Sequence, residues 1–331
     1  MKSKGKALAL FSGGLDSQLA LLYMARLGYE VIPIFFQSYF FTAERAIIEA
    51  ERIGYKLKVI DIGEKMLDLI NQPRYGFGKN MNPCIDCHSL MFREAGRLMQ
   101  ELEADFLISG EVLGQRPMSQ RMDALQMVSK HSGFRDYIIR PLSQKLLPDT
   151  KPIIDGIVDK EELLDIQGRG RKRQFELAKE LGIVEYPESA GGCKLTEIGF
   201  SLRLKDLAEH NMLNKTAIDT LYTGRHFRID SETKLVMGRN ESENEKLLTI
   251  IPDSIVFKSA NFAGPIGLIH PIREIPLDTI RLVASIVLSY ANKAADRDCV
   301  AYGVNNTPFQ QLEVDKIERA EIERYLIKIW G

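Results

Sequence analysis

From Lys6 to about Gly182, short apolar runs rich in β-formers alternate with stretches in which apolar residues recur at helical spacing. The runs 7–11, 31–36, 57–60, 106–109 and 137–139 read as strands, with helices expected over 17–27, 42–53 and 87–102. Strands that alternate with helices predict an α/β fold built on a doubly wound, mostly parallel sheet, whose ligands sit at the carboxyl ends of the strands. Beyond residue 200 the texture changes. A polar helical stretch over 201–223 is followed by an expected hairpin from Arg225, a helix over 241–250, a further strand pair and a long apolar helix over 277–294, which reads as a smaller α+β domain. The expected organisation is a first domain over 1–205, a helical linker over 206–224 and a second domain over 225–331.

The composition narrows the function classes. With 45% hydrophobic and 27% charged residues among 331, the chain has neither the low hydrophobicity nor the charge excess of a disordered or fibrous protein. No apolar run approaches the roughly 20 residues needed to cross a bilayer, so no membrane association is expected and the location reads as cytoplasmic. Lys and Arg number 44 against 45 Asp and Glu. Any contact with nucleic acid must therefore come from local patches and not from a global basic field. Four cysteines, Cys84, Cys87, Cys193 and Cys299, are too few for a secreted disulfide framework and read as metal-binding or catalytic.

The first strand runs directly into Ser12-Gly13-Gly14-Leu15-Asp16-Ser17 and then into an apolar helix. Glycines let the backbone turn its N–H groups toward a phosphate, and the helix N-terminus adds the positive end of its dipole. The Gly-Lys-Ser/Thr ending of a Walker loop is missing. The string resembles the PP-loop of the ATP pyrophosphatase superfamily, which cleaves ATP between the α and β phosphates and leaves an adenylated intermediate. That resemblance implies that Ser12, Gly13, Gly14 and Ser17 hold pyrophosphate and that Asp16 helps place Mg2+ in catalysis. The segment from Phe36 to Arg45, Met91-Phe92-Arg93, the stretch from Ser109 through Gly110 and Gln115 to Gln120, and Arg140-Pro141-Leu142 resemble the tRNA 4-thiouridine synthetases. By the same resemblance Phe36, Gly110 and Gln115 join the ATP site.

Asn82-Pro83-Cys84-Ile85-Asp86-Cys87-His88 opens a predicted helix, so Cys84 and Cys87 can face one side of its first turn, where a helix start favours thiolates. A third cysteine follows two glycines in Gly191-Gly192-Cys193. Three chemistries fit: a [4Fe-4S] cluster on Cys84, Cys87 and Cys193 with one iron left open, a persulfide and disulfide pair, or a structural zinc closed by His88 or an acid. The Asn-Pro-Cys-x-x-Cys and distant Gly-Gly-Cys strings are similar to those of cluster-dependent tRNA thiolases, including the 2-thiouridylase type. Here the chain departs from the long 4-thiouridine synthetases, which take a persulfide from a rhodanese domain that does not fit within this sequence, and which carry an N-terminal RNA-binding module where this ATP loop begins almost at once. Cys299 lies in an apolar run and is expected to be a buried structural thiol.

Gly168-Arg169-Gly170-Arg171-Lys172-Arg173 is a compact basic cluster suited to RNA phosphates. Residues 225–305, with Met237-Gly238-Arg239-Asn240, Asn244 and Val256-Phe257-Lys258, resemble the RNA-binding domain of the NFACT family. The region 206–331 holds 15 Lys and Arg against 18 Asp and Glu, so Arg225, Arg228, Arg239 and Lys258 would have to gather on one face. The combined reading is an ATP-dependent tRNA sulfurtransferase, most simply one that makes 4-thiouridine, with ATP, Mg2+ and a [4Fe-4S] cluster. Its partners would be tRNA and a sulfur donor, either inorganic sulfide or sulfur from a desulfurase, and a homodimer is open to it. The competing readings are a tRNA 2-thiouridylase or 2-thiocytidine synthetase, a PP-loop amide ligase, and a non-catalytic RNA-binding protein.

Overall fold

The computed structural model describes residues 3–116, 119–186, 193–305 and 307–327. The glycine pair before Cys193 lies outside them. Two compact units divide after Cys193.

In the first unit the described residues form β1 (Lys6–Leu10), α1 (Leu15–Arg26), β2 (Glu30–Gln37), α2 (Glu44–Arg52), β3 (Lys58–Asp61), α3 (Gly63–Asn71), α4 (Cys84–Glu101), β4 (Phe106–Ser109), α5 (Met122–Ser132), β5 (Ile138–Ile139), α6 (Lys151–Ile154) and α7 (Lys172–Glu180). The strands make one parallel sheet in the order β3-β2-β1-β4-β5. β1 is central because small and branched apolar side chains suit a strand covered on both faces; Ala7, Leu8 and Ala9 are all buried. Chain order reverses at β1, which pairs with β2 on one side and β4 on the other. The loops after β1 and β4 are thereby brought together at the carboxyl edge, the expected ligand position.

The second unit comprises α8 (Ile198–Glu209), α9 (Lys215–Thr220), β6 (Arg225–Arg228), β7 (Lys234–Met237), α10 (Glu241–Ile250), β8 (Ile255–Ser259), β9 (Gly267–Ile269), α11 (Leu277–Ser289), β10 (Arg297–Val304), β11 (Gln310–Asp315) and α12 (Arg319–Ile322). Its strands pair antiparallel in the order β11-β10-β8-β9-β7-β6. α11 lays Val283, Ala284, Ile286, Val287 and Leu288 into the core shared with this sheet.

The expected helix over 201–223 is two helices, because the chain turns at Asn211, with a φ of 54°, and restarts on an Asn214 side chain that accepts from the Ala217 N–H at 2.9 Å. α8 groups with the second unit, so the division lies before the expected boundary near 205. The cause is Asp206 on α8, which takes Arg228 of β6 and Lys234 of β7. α11 stops at Ser289, short of the expected 294, and α3 and α5 were not among the expected helices.

Candidate active site

β1 ends where the Phe11 N–H donates to Ile34 O at 2.8 Å, and the chain then turns at Gly13, with a φ of +77°. A Cβ there would also crowd the Ala46 backbone at 3.1 Å, so glycine is required twice over. The turn is braced from behind by Gln18, whose Nε2 donates to Gly13 O at 2.9 Å and to Glu49 Oε2 at 3.2 Å. α1 starts on Gly14, which offers no side-chain cap, and Ser17 Oγ donates to Gly14 O at 2.7 Å. A helix start left uncapped at a strand end is suited to an anion. Phe36 is buried in β2. A cleft of ≈ 500 Å³ lined by Arg45, Glu49, Arg52 and residues 184–186 opens nearby, but none of the expected ATP residues lines it.

Asp16 sits at the corner between this loop and the loop after β4. Its Oδ2 accepts from Gln115 Nε2 at 2.6 Å, and Gln115 Oε1 in turn accepts from Gln174 Nε2 at 2.8 Å. Arg171 Nη2 stands 3.9 Å from Asp16 Oδ1. Asp16 Oδ1, Arg171 Nε and Gln174 Oε1 are buried without a hydrogen-bond partner among the described residues. Burial pushes the Asp16 carboxyl up, against the Gln115 hydrogen bond and the charges of Arg171 and Arg116. An unmatched carboxylate oxygen beside a phosphate loop is the hard donor that Mg2+ takes, so the residues fit that ion. Gly110 permits the corner to close, since a Cβ there would fall 2.6 Å from the Asp16 carbonyl.

The cysteine segment forms the start of α4. Cys84 N–H donates to Asn82 O at 3.0 Å, Asn82 Nδ2 approaches Cys84 Sγ at 3.2 Å, and Cys87 N–H donates to Pro83 O at 2.9 Å. Burial pushes the Cys87 thiol strongly up, and the charges of Cys193, Cys84 and Asp86 push it the same way. Burial and neighbouring negative groups thus act at Cys87 against the helix start, which favours a thiolate. The same shift places Cys84 and Cys193 within electrostatic reach of Cys87. None of the four cysteines is in a disulfide. Among the described residues no group of three or more His, Cys, Asp or Glu is arranged to hold a single metal ion. The donor chemistry, three thiols with Cys84 and Cys193 both acting on Cys87, is of the kind an iron–sulfur cluster takes. Cys299, expected buried, is only half-buried, on β10 of the second unit.

The two halves of the site are joined by consecutive residues. Gly110 packs on Asp16, while Glu111 takes His88 Nδ1 at 3.1 Å and Arg140 Nε at 2.9 Å. Burial alone would raise the Glu111 carboxyl, but Arg140 and His88 bring it down to about 2. His88 follows Cys87 in sequence, so the end of β4 touches both the ATP loop and the cysteine helix.

Residues 2–146 match the family model described as Thiamine biosynthesis protein (ThiI), and residues 224–326 match that of the NFACT protein RNA binding domain. The chain joins a ThiI domain to an NFACT RNA-binding domain. A probable tRNA sulfurtransferase from Thermococcus kodakarensis is 30% identical over 173 residues, covering 50% of this chain and 40% of the relative. The tRNA-specific 2-thiouridylase MnmA of Sulfurimonas denitrificans is 31% identical over 118 residues, covering 33% and 35%. The chain thus spans less than half the length of these curated relatives. Among solved structures, a 4-thiouridine synthetase in complex with RNA and ATP is 20% identical with a TM-score of 0.33, covering 54% of this chain and 52% of that one.

The expected RNA residues divide by surroundings. Beside the ThiI domain's loop, Arg171 faces Asp16, whereas Arg169 and Lys172 are exposed and Arg173 pairs with Glu176 and Glu180. In the NFACT domain, Arg228 grips Asp206 through Nε and Nη2, and Arg239 is held by Glu243. Arg225 lies over the Tyr290 ring at 4.8 Å and Lys258 over Phe309 at 4.8 Å. Sequence reasoning missed Gln174, His88 as a partner of Glu111, and the Glu111–Arg140 pair. A glutamine among inward-facing positions of α7 was the one available signal for Gln174.

Proposed function

We propose that this protein is an ATP-dependent tRNA sulfurtransferase that makes 4-thiouridine. The observation that carries the reading is the junction at Gly110-Glu111, where the phosphate loop and the three-cysteine group meet within one unit. The uracil C4 oxygen attacks the α-phosphate of ATP and the bond to the β-phosphate breaks, releasing pyrophosphate. Sulfur then adds at C4, and AMP leaves with the former carbonyl oxygen. The turn at Ser12-Gly13-Gly14 and the start of α1 hold the pyrophosphate portion, while Arg171 lies where it offsets charge growing on the phosphates. Gln115 holds one Asp16 oxygen, and the other, without a hydrogen-bond partner, would take Mg2+. Cys84, Cys87 and Cys193 would hold the [4Fe-4S] cluster, which when bound supplies an iron position open to sulfide. Arg169, Lys172, Arg225 and Lys258 remain to meet tRNA phosphates, while Arg228 and Arg239 serve the framework.

The test is thiolation of unmodified tRNA by anaerobically prepared protein with ATP, Mg2+ and sulfide, read by nucleoside mass spectrometry. 4-Thiouridine is expected; 2-thiouridine or 2-thiocytidine would move the reaction to the other position, and pyrophosphate release without thiolation would favour an amide ligase. Iron bound to the wild-type protein should fall away in each of Cys84→Ala, Cys87→Ala and Cys193→Ala and persist in Cys299→Ala. Zinc in place of iron would overturn the cluster.

A further inference from the structure

Arg74, Arg93 and Lys130 reach the surface from three separate places: the loop after α3, the exposed side of α4 and the last turn of α5. They gather around His131. Arg74 Nη1 is 3.4 Å from His131 Nδ1, Arg93 Nη2 donates to His131 O at 3.1 Å, and Lys130 precedes it in the chain. Burial and then these three charges depress the His131 imidazole. Among the described residues none of the three cations is in an ion pair with a carboxylate. Glu94, beside Arg93, is already taken by Lys65 and Arg97, and Asp86 is engaged by the Tyr75 N–H at 3.0 Å.

Like charges crowded in this way cost stability, and Asp86, whose charge acts the other way on His131, is one carboxylate against three cations. The dipole at the end of α5 accounts for Lys130 and His131 but not for Arg74 or Arg93, which belong to other segments. The Tyr75 ring lies among the cations, and Phe77 follows two residues on in the same loop. Tyr75 and His131 are 5.1 Å apart between ring centroids and hydrogen-bonded, Arg74 stands 5.8 Å over Tyr75, and Phe77 is 39% exposed. Cations interleaved with rings form the kind of surface on which a single strand lays its phosphates and bases. The position gives the surface its use: Asp86, which anchors the Tyr75 loop, sits between Cys84 and Cys87 in the first turn of α4.

We propose that Arg74, Arg93 and Lys130, with Tyr75 and Phe77, form an RNA-backbone clamp that holds the nucleotides flanking the one delivered to the cysteines. The clamp rests on the tRNA reading above and extends it to a surface outside the basic cluster at 169–173 and outside the NFACT domain.

The test uses the full chain and unmodified tRNA, with affinity measured across a salt series. Replacing Arg74, Arg93 and Lys130 together by Gln should weaken binding by about tenfold or more and flatten the slope of log affinity against log salt by about 2, as expected for three lost single-strand phosphate contacts. Affinity for ATP should stay unchanged. Phe77→Ala should weaken binding without changing the slope, and Arg74→Lys with Arg93→Lys should retain most of the slope. A control with Lys56, Lys58 and Lys179 changed to Gln removes equal charge from other exposed positions and should bind as wild type. Wild-type affinity and slope in the triple variant would overturn the clamp, as would an equal loss in the control. Affinity unchanged but binding to an acidic protein lost would assign the patch to that class of partner instead. If the wild-type protein binds no tRNA, the functional reading itself falls, a result distinct from a clamp variant that binds normally.

Discussion

Asp16 and Asp206 are both carboxylates withdrawn from water, one in each unit, and their surroundings treat them in opposite ways. Asp206 receives Arg228 Nε at 2.8 Å, Arg228 Nη2 at 2.7 Å and Lys234 Nζ at 2.8 Å. Burial would raise its carboxyl, yet those two cations carry it below the usual carboxylate range. Asp16 has one hydrogen bond from a neutral amide and a cation at 3.9 Å, one oxygen is left unmatched, and burial wins. A carboxylate that only holds elements together is saturated by them. One kept for an incoming group is left short of partners, at a cost the rest of the fold absorbs.

The largest expected effect is on chemistry. Asp16→Ala should lower tRNA-dependent AMP formation by about 10³-fold, with no fall in melting temperature, because the residue lost is poorly matched. Normal turnover would remove the contrast altogether. The mirror experiment, Asp206→Ala, should lose roughly 3–5 kcal/mol in urea unfolding, since two buried cations lose their counter-charge. AMP formation per folded molecule should survive.

Acid titration sharpens the same comparison. Asp206 is depressed in the folded state, so its stabilisation is present above the ordinary carboxylate range and is lost as pH falls through the folded value; Glu111 adds a similar loss on the way down to about 2. Asp16 is raised, so its ionised form penalises folding at neutral pH and that penalty is relieved on acidification. Asp206→Asn should therefore make the acid limb of stability shallower, and Asp16→Asn should make it steeper. Changes of slope in the same direction for both variants would contradict the assignment.

A smaller effect is expected one step back from Asp16. Gln174→Ala leaves Gln115 without the donor that fixes which way its amide faces, and the affinity for Mg-ATP should drop about tenfold. Smallest of all, Arg173→Ala should change tRNA affinity by no more than about twofold, because its guanidinium is already paired on the surface with Glu176 and Glu180.

What was legible in the sequence was local. β1 and the loop after it are contiguous, so an apolar run and Ser12-Gly13-Gly14-Leu15-Asp16-Ser17 declare themselves together. The Cys84 and Cys87 pair is local too, and so is Asp86 beside it, whereas the burial of Cys87 and the nearness of Cys193 come from the fold. Arg171 read as one more cation in a basic cluster; the pairing of Leu113 with Gln167 and the approach of Arg171 to Asp16 belong to the fold. The boundary near 205 was missed because the bond between α8 and β6 is an ion pair between residues 22 apart, which leaves no periodicity to read. In the second unit a hairpin and a strand pair were expected, but β10 and β11 complete a larger antiparallel sheet.

The hydrogen-bonded line from Asp16 through Gln115 to Gln174 spans sequence intervals of 99 and 59 residues. During vectorial synthesis the phosphate turn leaves the ribosome first, but its carboxylate has no bracing amide until β4 has joined β1, and that amide has no brace of its own until α7 has emerged. Cys193 follows soon after α7. A nascent chain therefore completes this corner only once Gln174 has emerged, within the same stretch of synthesis that brings out Cys193.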